Sequence, residues 1–152
     1  MSAWMVVAMM VVSGAIMSFQ APINAALRKE IGTFESSLVS FTVGTVALVV
    51  VVVLTREGSL AKLRQVEWWQ LLGGLIGAIF VTTTLLAAPR IGVTGMIVAA
   101  LAGQLTAALL IDTFGWIRIT PKPLDVHRLV GLGLLALSVV LINWNSFGWK
   151  KS

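Results

Sequence analysis

Residues 13–24 read Ser13-Gly14-Ala15-Ile16-Met17-Ser18-Phe19-Gln20-Ala21-Pro22-Ile23-Asn24, and this stretch decides how the chain can fold. It lies inside an uncharged run from Trp4 to Leu27. Because about 20 apolar residues cross the hydrocarbon core of a bilayer, the run predicts a membrane helix. On that helix Gln20 and Asn24 lie on one face, since side chains four residues apart are neighbours.

The two amides make this helix face a candidate binding site. A buried amide without a partner costs roughly 1–3 kcal/mol, so both side chains should face protein, a cavity or a ligand. Pro22, between them, removes a backbone donor and frees a carbonyl within the membrane. The alternative is that the amides only join helices, an interaction worth about 0.6 kcal/mol on average.

Composition places the chain among integral membrane proteins. It is 58% hydrophobic and 11% charged, with a mean hydropathy of +0.97. Its 152 residues predict one all-α transmembrane domain, residues 1–152, without a separate soluble domain. The five predicted helices cover approximately residues 3–27, 33–54, 69–88, 91–111 and 129–147. The formal charge of +5 falls in the gaps between apolar runs, where lipid headgroups lie, so nucleic acid is not an expected partner.

The sequence indicates neither catalysis nor a cofactor. The chain has no cysteine, which excludes disulfides and thiol chemistry. No group of His, Asp and Glu residues has metal-ligand spacing, and no nucleophile has a base paired with it. We therefore expect no enzyme, no metal and no cofactor.

Three further residues are substrate-binding candidates: Phe41, Thr82 and Gln104. Packing is the favoured interpretation of Phe41, although an aromatic wall beside amides suits a flat organic solute. Thr82 can bond back to its own helix. Gln104, the only long polar side chain of its span, can bond to the first helix without a ligand.

Small residues at four-residue spacing predict close helix packing, because they let backbones approach one another. The predicted packing positions are Gly14, Ser18, Ser40, Gly44, Gly73, Gly77, Gly95, Ala99 and Gly103. Pro89-Arg90 is expected to stop the third helix, leaving a tight antiparallel hairpin before the fourth. Between the second and third helices, residues 55–67 fit a short interfacial helix or a solvated loop equally well.

Charge asymmetry between the two membrane faces is nearly zero. Five spans place six Lys and Arg residues on the N-terminal side of the membrane and five on the other side. The six are Arg56, Lys62, Arg64, Arg118, Lys122 and Arg128, and the five are Arg28, Lys29, Arg90, Lys150 and Lys151. Orientation follows this asymmetry, so a difference of one gives little instruction. We expect insertion in both orientations and an antiparallel homodimer, with a site at the midplane as in inverted-repeat transporters. The alternative is that one gap dominates and the chain inserts one way.

Several short motifs occur together in a specific order. They are Gln20-x-x-x-Asn24-Ala25-x-Leu27, Ser40-Phe41-x-x-Gly44-Thr45, Gly73-Gly74-x-x-Gly77-Ala78, Ala88-Pro89-Arg90-x-Gly92, Gly103-Gln104, Ile111-Asp112-x-Phe114-Gly115 and Arg128-x-x-Gly131. In this order they resemble the YdcZ-like five-helix branch of the drug/metabolite transporter superfamily, over nearly the whole chain.

The resemblance implies a multi-pass inner-membrane protein that transports small molecules, in a superfamily whose ten-helix members look like fused inverted halves. It does not name a substrate. The smallest members of the superfamily use a glutamate within the first helix, where this chain has Gln20 and Asn24. That difference argues against proton-coupled export of organic cations by the glutamate mechanism.

From these features we expect a secondary transporter of small organic solutes that works by alternating access around a polar midplane site. The alternative is a non-transporting membrane subunit, or a passive channel, whose polar residues serve only helix packing.

Overall fold

A computed structural model describes residues 1–147, and the protein is all-helical, at 86% helix, with no strand in the described part. Five α-helices follow one another as α1 (Ala3–Met17), α2 (Gln20–Ile31), α3 (Thr33–Thr55), α4 (Leu72–Phe114) and α5 (Val126–Ile142). Short 3-10 helices occupy Leu60–Gln65, Trp68–Leu71, Trp116–Arg118 and Trp144–Phe147.

The predicted first helix, residues 3–27, is in fact two helices, and the second of them extends to Ile31. The interruption falls at Ser18 and Phe19, four and three residues before Pro22. Because Pro22 has no N–H, the Ser18 carbonyl cannot receive its usual helical bond, and the proline ring crowds the same carbonyl. Ser18 and Phe19 keep right-handed φ angles of −64° and −76°, so the break is local.

A single glycine connects α2 to α3. Gly32 has φ 102° and ψ 168°, a conformation that residues with a Cβ rarely adopt. It ends α2 and begins α3, which runs one residue beyond the predicted residue 54. The two helices are therefore neighbours, with almost no chain between them.

Pro89 does not stop the helix in which it lies, contrary to the sequence-based expectation. Helix α4 continues through Pro89, and its dihedral angles become non-helical only at Gly92, with φ 75° and ψ 165°. The φ of proline is compatible with a helix, whereas φ 75° combined with ψ 165° is essentially restricted to glycine, so Gly92 is the residue that allows the kink. The antiparallel hairpin on either side of Gly92 stays a prediction.

Helix α5 is displaced from its predicted range, residues 129–147. It begins at Val126 because the Asp125 side chain caps it, accepting a hydrogen bond from the His127 N–H at 2.8 Å. It ends at Ile142 and gives way to the 3-10 helix Trp144–Phe147. Lys150 and Lys151, which entered the charge comparison, lie outside the described residues.

The segment between α3 and α4 is partly helical. Leu60–Gln65 forms a 3-10 helix rather than an α-helix, and its Leu60 and Leu63 side chains are exposed. Trp68 and Glu67 follow, with Glu67 and Gln70 forming a reciprocal cap at the start of the next 3-10 helix.

Three stretches of the described chain are long and apolar enough to cross a membrane: Ala3–Ile31, Thr33–Thr55 and Trp68–Phe114. The last has 47 residues, far more than the roughly 20 that one crossing needs, and Gly92 divides it. The shorter apolar helix α5 follows. The protein is thus an integral membrane protein, and the count of five crossings stays a prediction.

Two compact units make up the chain, residues 1–86 and the residues from Ala87 on. In the first unit the buried apolar side chains are Ala21, Val81 and Leu85. In the second they are Ala88 and Met96. Most other apolar side chains of the helices are exposed, as expected for helices that contact lipid or another chain.

Candidate functional site

A buried polar cluster joins α2 to α3 in the first unit. Asn24 is 5% exposed, and its side-chain oxygen accepts a hydrogen bond of 2.6 Å from the Ser40 hydroxyl. Its backbone carbonyl accepts a second bond, of 2.9 Å, from the fully buried Ser36 hydroxyl. The glycine turn at Gly32 brings these residues together, although they are 12 and 16 positions apart.

A second polar contact joins α3 to α4. The Thr82 hydroxyl donates to the Ser37 hydroxyl oxygen at 3.1 Å, and Ser37 donates in turn to the Thr33 carbonyl at 3.2 Å. Thr82 therefore bonds to a neighbouring helix and not to its own, which was the alternative weighed from the sequence. Ser37 is buried, and sequence reasoning did not single it out as a site residue.

Phe41 lies beside this cluster and contacts Gly77 of α4. A Cβ added at Gly77 would stand 3.4 Å from the Phe41 Cζ, an ordinary contact distance. The ring is 36% exposed, so one part of it packs on the glycine and another part remains accessible. This arrangement is compatible with packing and with an aromatic wall.

Arg28 adds a charge next to the polar cluster. Its Nη1 donates to the backbone carbonyl of Leu85 in α4, a residue with no exposed surface. Arg28 is half-buried in the last turn of α2. Sequence reasoning treated it only as a charge at the end of a helix.

The structure brings Asn24, Thr82 and Phe41 together in the first unit, but it leaves Gln20 exposed. Gln20 is the first residue of α2, one turn before Asn24 on the same helix. Gln104 belongs to the second unit and is also exposed. Both glutamines lie in stretches long and apolar enough to cross a membrane, where lipid offers no hydrogen bond.

The predicted packing positions fall into two groups. Three meet a partner on another helix, since Gly77 lies against Phe41, Gly95 lies against Asn143, and Ser40 bonds to Asn24. Ser18 instead bonds back to the Ala15 carbonyl, and Ala99 is half-buried. Around four others, no described atom beyond the chain neighbours and the helix's own backbone lies within 4 Å of an added Cβ: Gly14, Gly44, Gly73 and Gly103. The second group remains open in a single protomer.

Asn143 is a buried polar residue of the second unit, and sequence reasoning missed it. It is 3% exposed, and its Nδ2 donates to the carbonyls of Gly95 at 3.4 Å and Val139 at 3.0 Å. Its Oδ1 has no hydrogen-bond partner among the described residues and lies against Gly95. The available signal was an amide directly after the apolar run of α5.

Charged groups at the ends of α4 and α5 are paired. Arg128 donates to the Asp112 carboxylate at 3.2 Å. Asp125 lies in the exposed segment before α5. Hydrogen bonds from the backbone and then the side chain of His127, followed by the charge of Arg128, lower the pKa of Asp125.

The side chains that join α2, α3 and α4 through these contacts are hydroxyls and one amide, together with the Arg28 guanidinium. Such groups can hold a neutral or weakly charged solute by hydrogen bonds, but they contain no nucleophile with a base. In residues 1–147 no three His, Cys, Asp or Glu side chains come close enough to hold a metal ion. The arrangement suits binding and helix association.

Long apolar helices joined by buried polar contacts define a multi-pass membrane protein. A family model described as "Putative inner membrane exporter, YdcZ" matches residues 5–141. The chain belongs to this family, and the resemblance predicted from its motifs is confirmed. No curated protein and no solved structure matches the chain.

Family membership gives the protein a place and a general role. It is an inner-membrane protein with several helices able to span the bilayer. Its general role is that of a membrane transporter, which indicates transport and not catalysis.

Proposed function

We propose that the protein is a secondary transporter that moves small organic solutes outward across the inner membrane by alternating access. The single observation that carries this proposal is the family match over residues 5–141. The outward direction follows the description of the family as exporters. The proposed site contains Gln20, Asn24, Phe41, Thr82 and Gln104.

The exposed glutamines support a site that is completed outside the single protomer. Gln20 and Gln104 are exposed within candidate membrane spans, and an amide facing hydrocarbon costs free energy until it finds a partner. In the proposal that partner is a solute or the amide of a second copy. Inverted pairing would place two sets of these residues near the midplane, as in transporters with inverted repeats.

An antiparallel homodimer is the proposed assembly. The six-to-five distribution of Lys and Arg, if the chain crosses five times, gives the insertion machinery almost no preferred orientation. Gly14, Gly44, Gly73 and Gly103 meet no described neighbour, so they are available for close approach by a second copy.

The solute class follows from the side chains. Gln20 and Asn24 replace a membrane carboxylate, so the proposed solutes are uncharged or weakly charged and not strongly cationic. Amides and hydroxyls would supply hydrogen bonds, and the exposed part of the Phe41 ring would cover a flat face. No nucleotide-binding motif occurs in the sequence, so transport is proposed to be independent of ATP.

A second candidate, a non-transporting membrane subunit or a passive channel, is favoured by one observation. Asn24 and Thr82 already bond to neighbouring helices through Ser40 and Ser37. Under this alternative the polar cluster serves only helix association, and no solute stabilises the protein.

Thermal unfolding of the purified protein against a library of small metabolites separates the two candidates. A solute that binds only the folded form raises the melting temperature by mass action. For a transporter, Gln20→Leu should abolish the shift and leave the melting temperature without solute unchanged. Thr42→Val is a matched control, because Thr42 is exposed and bonds only to its own helix. No shift with any solute, together with no flux into liposomes, would remove the transporter proposal.

The assembly is tested separately. Reporters fused to the C-terminus should be active on both sides of the membrane, and two added lysines should fix one orientation. Because the chain has no cysteine, single-cysteine variants can be cross-linked without background. Cross-links only between equivalent ends of α5 would replace the antiparallel dimer by a parallel one.

A further inference from the structure

The Leu85 carbonyl in α4 lacks its usual helical donor. That donor would be the N–H of the residue four positions later, which is Pro89. Leu85 has no exposed surface, so bulk water does not replace the missing bond. A buried backbone carbonyl of this kind requires a donor from elsewhere in the fold.

Arg28 of α2 supplies the donor. Its Nη1 bonds to the Leu85 carbonyl, and within residues 1–147 this carbonyl is the hydrogen-bond partner that the structure gives to the guanidinium. A charged donor makes a stronger hydrogen bond than a neutral one. Pro89 therefore leaves the Leu85 carbonyl without its helical donor, and Arg28 of another helix donates the hydrogen bond instead.

The same contact bears on the polar cluster. Arg28 lies one helical turn after Asn24, so the two side chains are neighbours on α2. Asn24 bonds to Ser40 of α3, while Arg28 bonds to α4. Together the two bonds determine the rotation of α2 about its own axis, because each fixes one turn of the helix.

We infer that Arg28 is a positioning residue. Its guanidinium takes the place of the missing proline N–H as the donor to Leu85, and it thereby holds the Asn24 amide in register with Ser40. Only the consequence for a solute rests on the proposed function. The positioning role itself can be measured without any solute.

The first test is a double-mutant cycle between Arg28→Met and Pro89→Ala, measured by thermal unfolding in detergent. Alone, Arg28→Met should lower the melting temperature by about 3–10 °C, because a buried carbonyl loses a charged donor. Pro89→Ala returns an N–H to α4. In that background Arg28→Met should lower the melting temperature by less than about a third of the loss it causes alone. Equal losses in both backgrounds would overturn the inference.

Two single variants keep this test decisive if Pro89→Ala does not fold. Arg28→Lys retains a charged donor and should recover a substantial part of the melting temperature lost in Arg28→Met. Lys29→Met, at the exposed neighbouring position, should have little effect. If Arg28→Lys and Arg28→Met are equally unstable, the carbonyl bond is not what Arg28 contributes.

The second test asks whether Arg28 positions Asn24. The coupling between Asn24→Ala and Ser40→Ala is measured with Arg28 present and again in the Arg28→Met background. A general loss of stability cancels within each cycle, so only a change in the Asn24–Ser40 contact alters the coupling. We expect the coupling to fall to less than about half. An unchanged coupling would overturn the positioning role, whether or not a transported solute is ever found.

Discussion

Each compact unit contains a buried asparagine, and the two use their amides differently. Asn24 accepts hydrogen bonds at its side-chain oxygen and its backbone oxygen, both from α3. The Asn143 side chain bonds only through its amide nitrogen, which donates to the carbonyls of Gly95 and Val139. Its oxygen has no partner among the described residues.

The difference shows what a buried amide can contribute to an apolar helical protein. At Asn24 the bonds join two helices that are adjacent in sequence, and both the side-chain oxygen and the backbone oxygen accept a hydrogen bond. At Asn143 the donor is satisfied, but the unmet oxygen subtracts from the gain, since a buried acceptor without a bond costs roughly 1–3 kcal/mol. The first asparagine should therefore be worth more to stability than the second.

The largest expected effect concerns the glycine that accommodates Asn143. A Cβ at Gly95 would collide with the Asn143 amide, whose Cγ would be only 3.1 Å away. Gly95→Leu should destabilise the protein by about 3 kcal/mol through overpacking, measured by unfolding in detergent. Gly133→Leu is the matched control, because Gly133 is exposed on α5 and, beyond its chain neighbours and its own helix backbone, no described atom lies within 4 Å of an added Cβ. Equal losses at both glycines would contradict the close contact with Asn143.

Removal of the satisfied amide should have the next largest effect. Asn24→Leu takes away the acceptor of the Ser40 hydroxyl and should cost about 1–3 kcal/mol. The same substitution combined with Ser40→Ala should cost less than the sum of the two single changes, because the stranded hydroxyl is gone. Strict additivity in the unfolding free energies would show that the Asn24–Ser40 bond contributes nothing.

Asn143→Ala should be milder than Asn24→Ala, at about 1 kcal/mol or less. It removes the bonds to Gly95 and Val139, but it also removes the unsatisfied oxygen, and the two effects oppose each other. Comparing the two alanine variants in the same detergent tests the ranking directly. A larger loss for Asn143→Ala would mean that its oxygen has a partner in the assembled protein.

The smallest effect is electrostatic and belongs to the exposed cap of α5. Hydrogen bonds from His127 lower the pKa of Asp125 below its ordinary value of 3.8. A lowered carboxyl pKa stabilises the folded form fully above the ordinary value, and the gain is lost as the pH falls through the lower folded value. Melting temperatures measured from pH 6 down to about 2 should show this loss in the native chain and a flatter profile for Asp125→Asn. Parallel profiles for the two proteins would contradict it.

The membrane helices could be predicted from the sequence because apolar runs of spanning length leave few alternatives. The family could be predicted from the order of its motifs. The ends of the helices could be predicted less well. A break precedes Pro22, whereas α4 continues through Pro89, where Arg28 of another helix donates to the Leu85 carbonyl, and no local pattern reveals such a distant donor.

The sequence predicts only part of where the candidate site residues lie in the fold. Helical spacing correctly places Gln20 and Asn24 on one helix, but it cannot say which turn of that helix is covered. The structure covers Asn24 with α3 and leaves Gln20 exposed. Asn143 was missed because its partner Gly95 is 48 residues away, a distance that no local pattern can bridge.

The one-residue turn at Gly32 also affects the order of events during synthesis. The bonds of Asn24 to Ser36 and Ser40 span only 12 and 16 residues, whereas that of Arg28 to Leu85 spans 57. Contacts between residues close in sequence form faster, so α2 and α3 should pair while the rest of the chain is still on the ribosome. Pulling force on the nascent chain, recorded with an arrest peptide at increasing lengths, should rise once α3 has emerged and should weaken in Asn24→Leu. The asparagine would then enter the bilayer with its hydrogen bonds already formed.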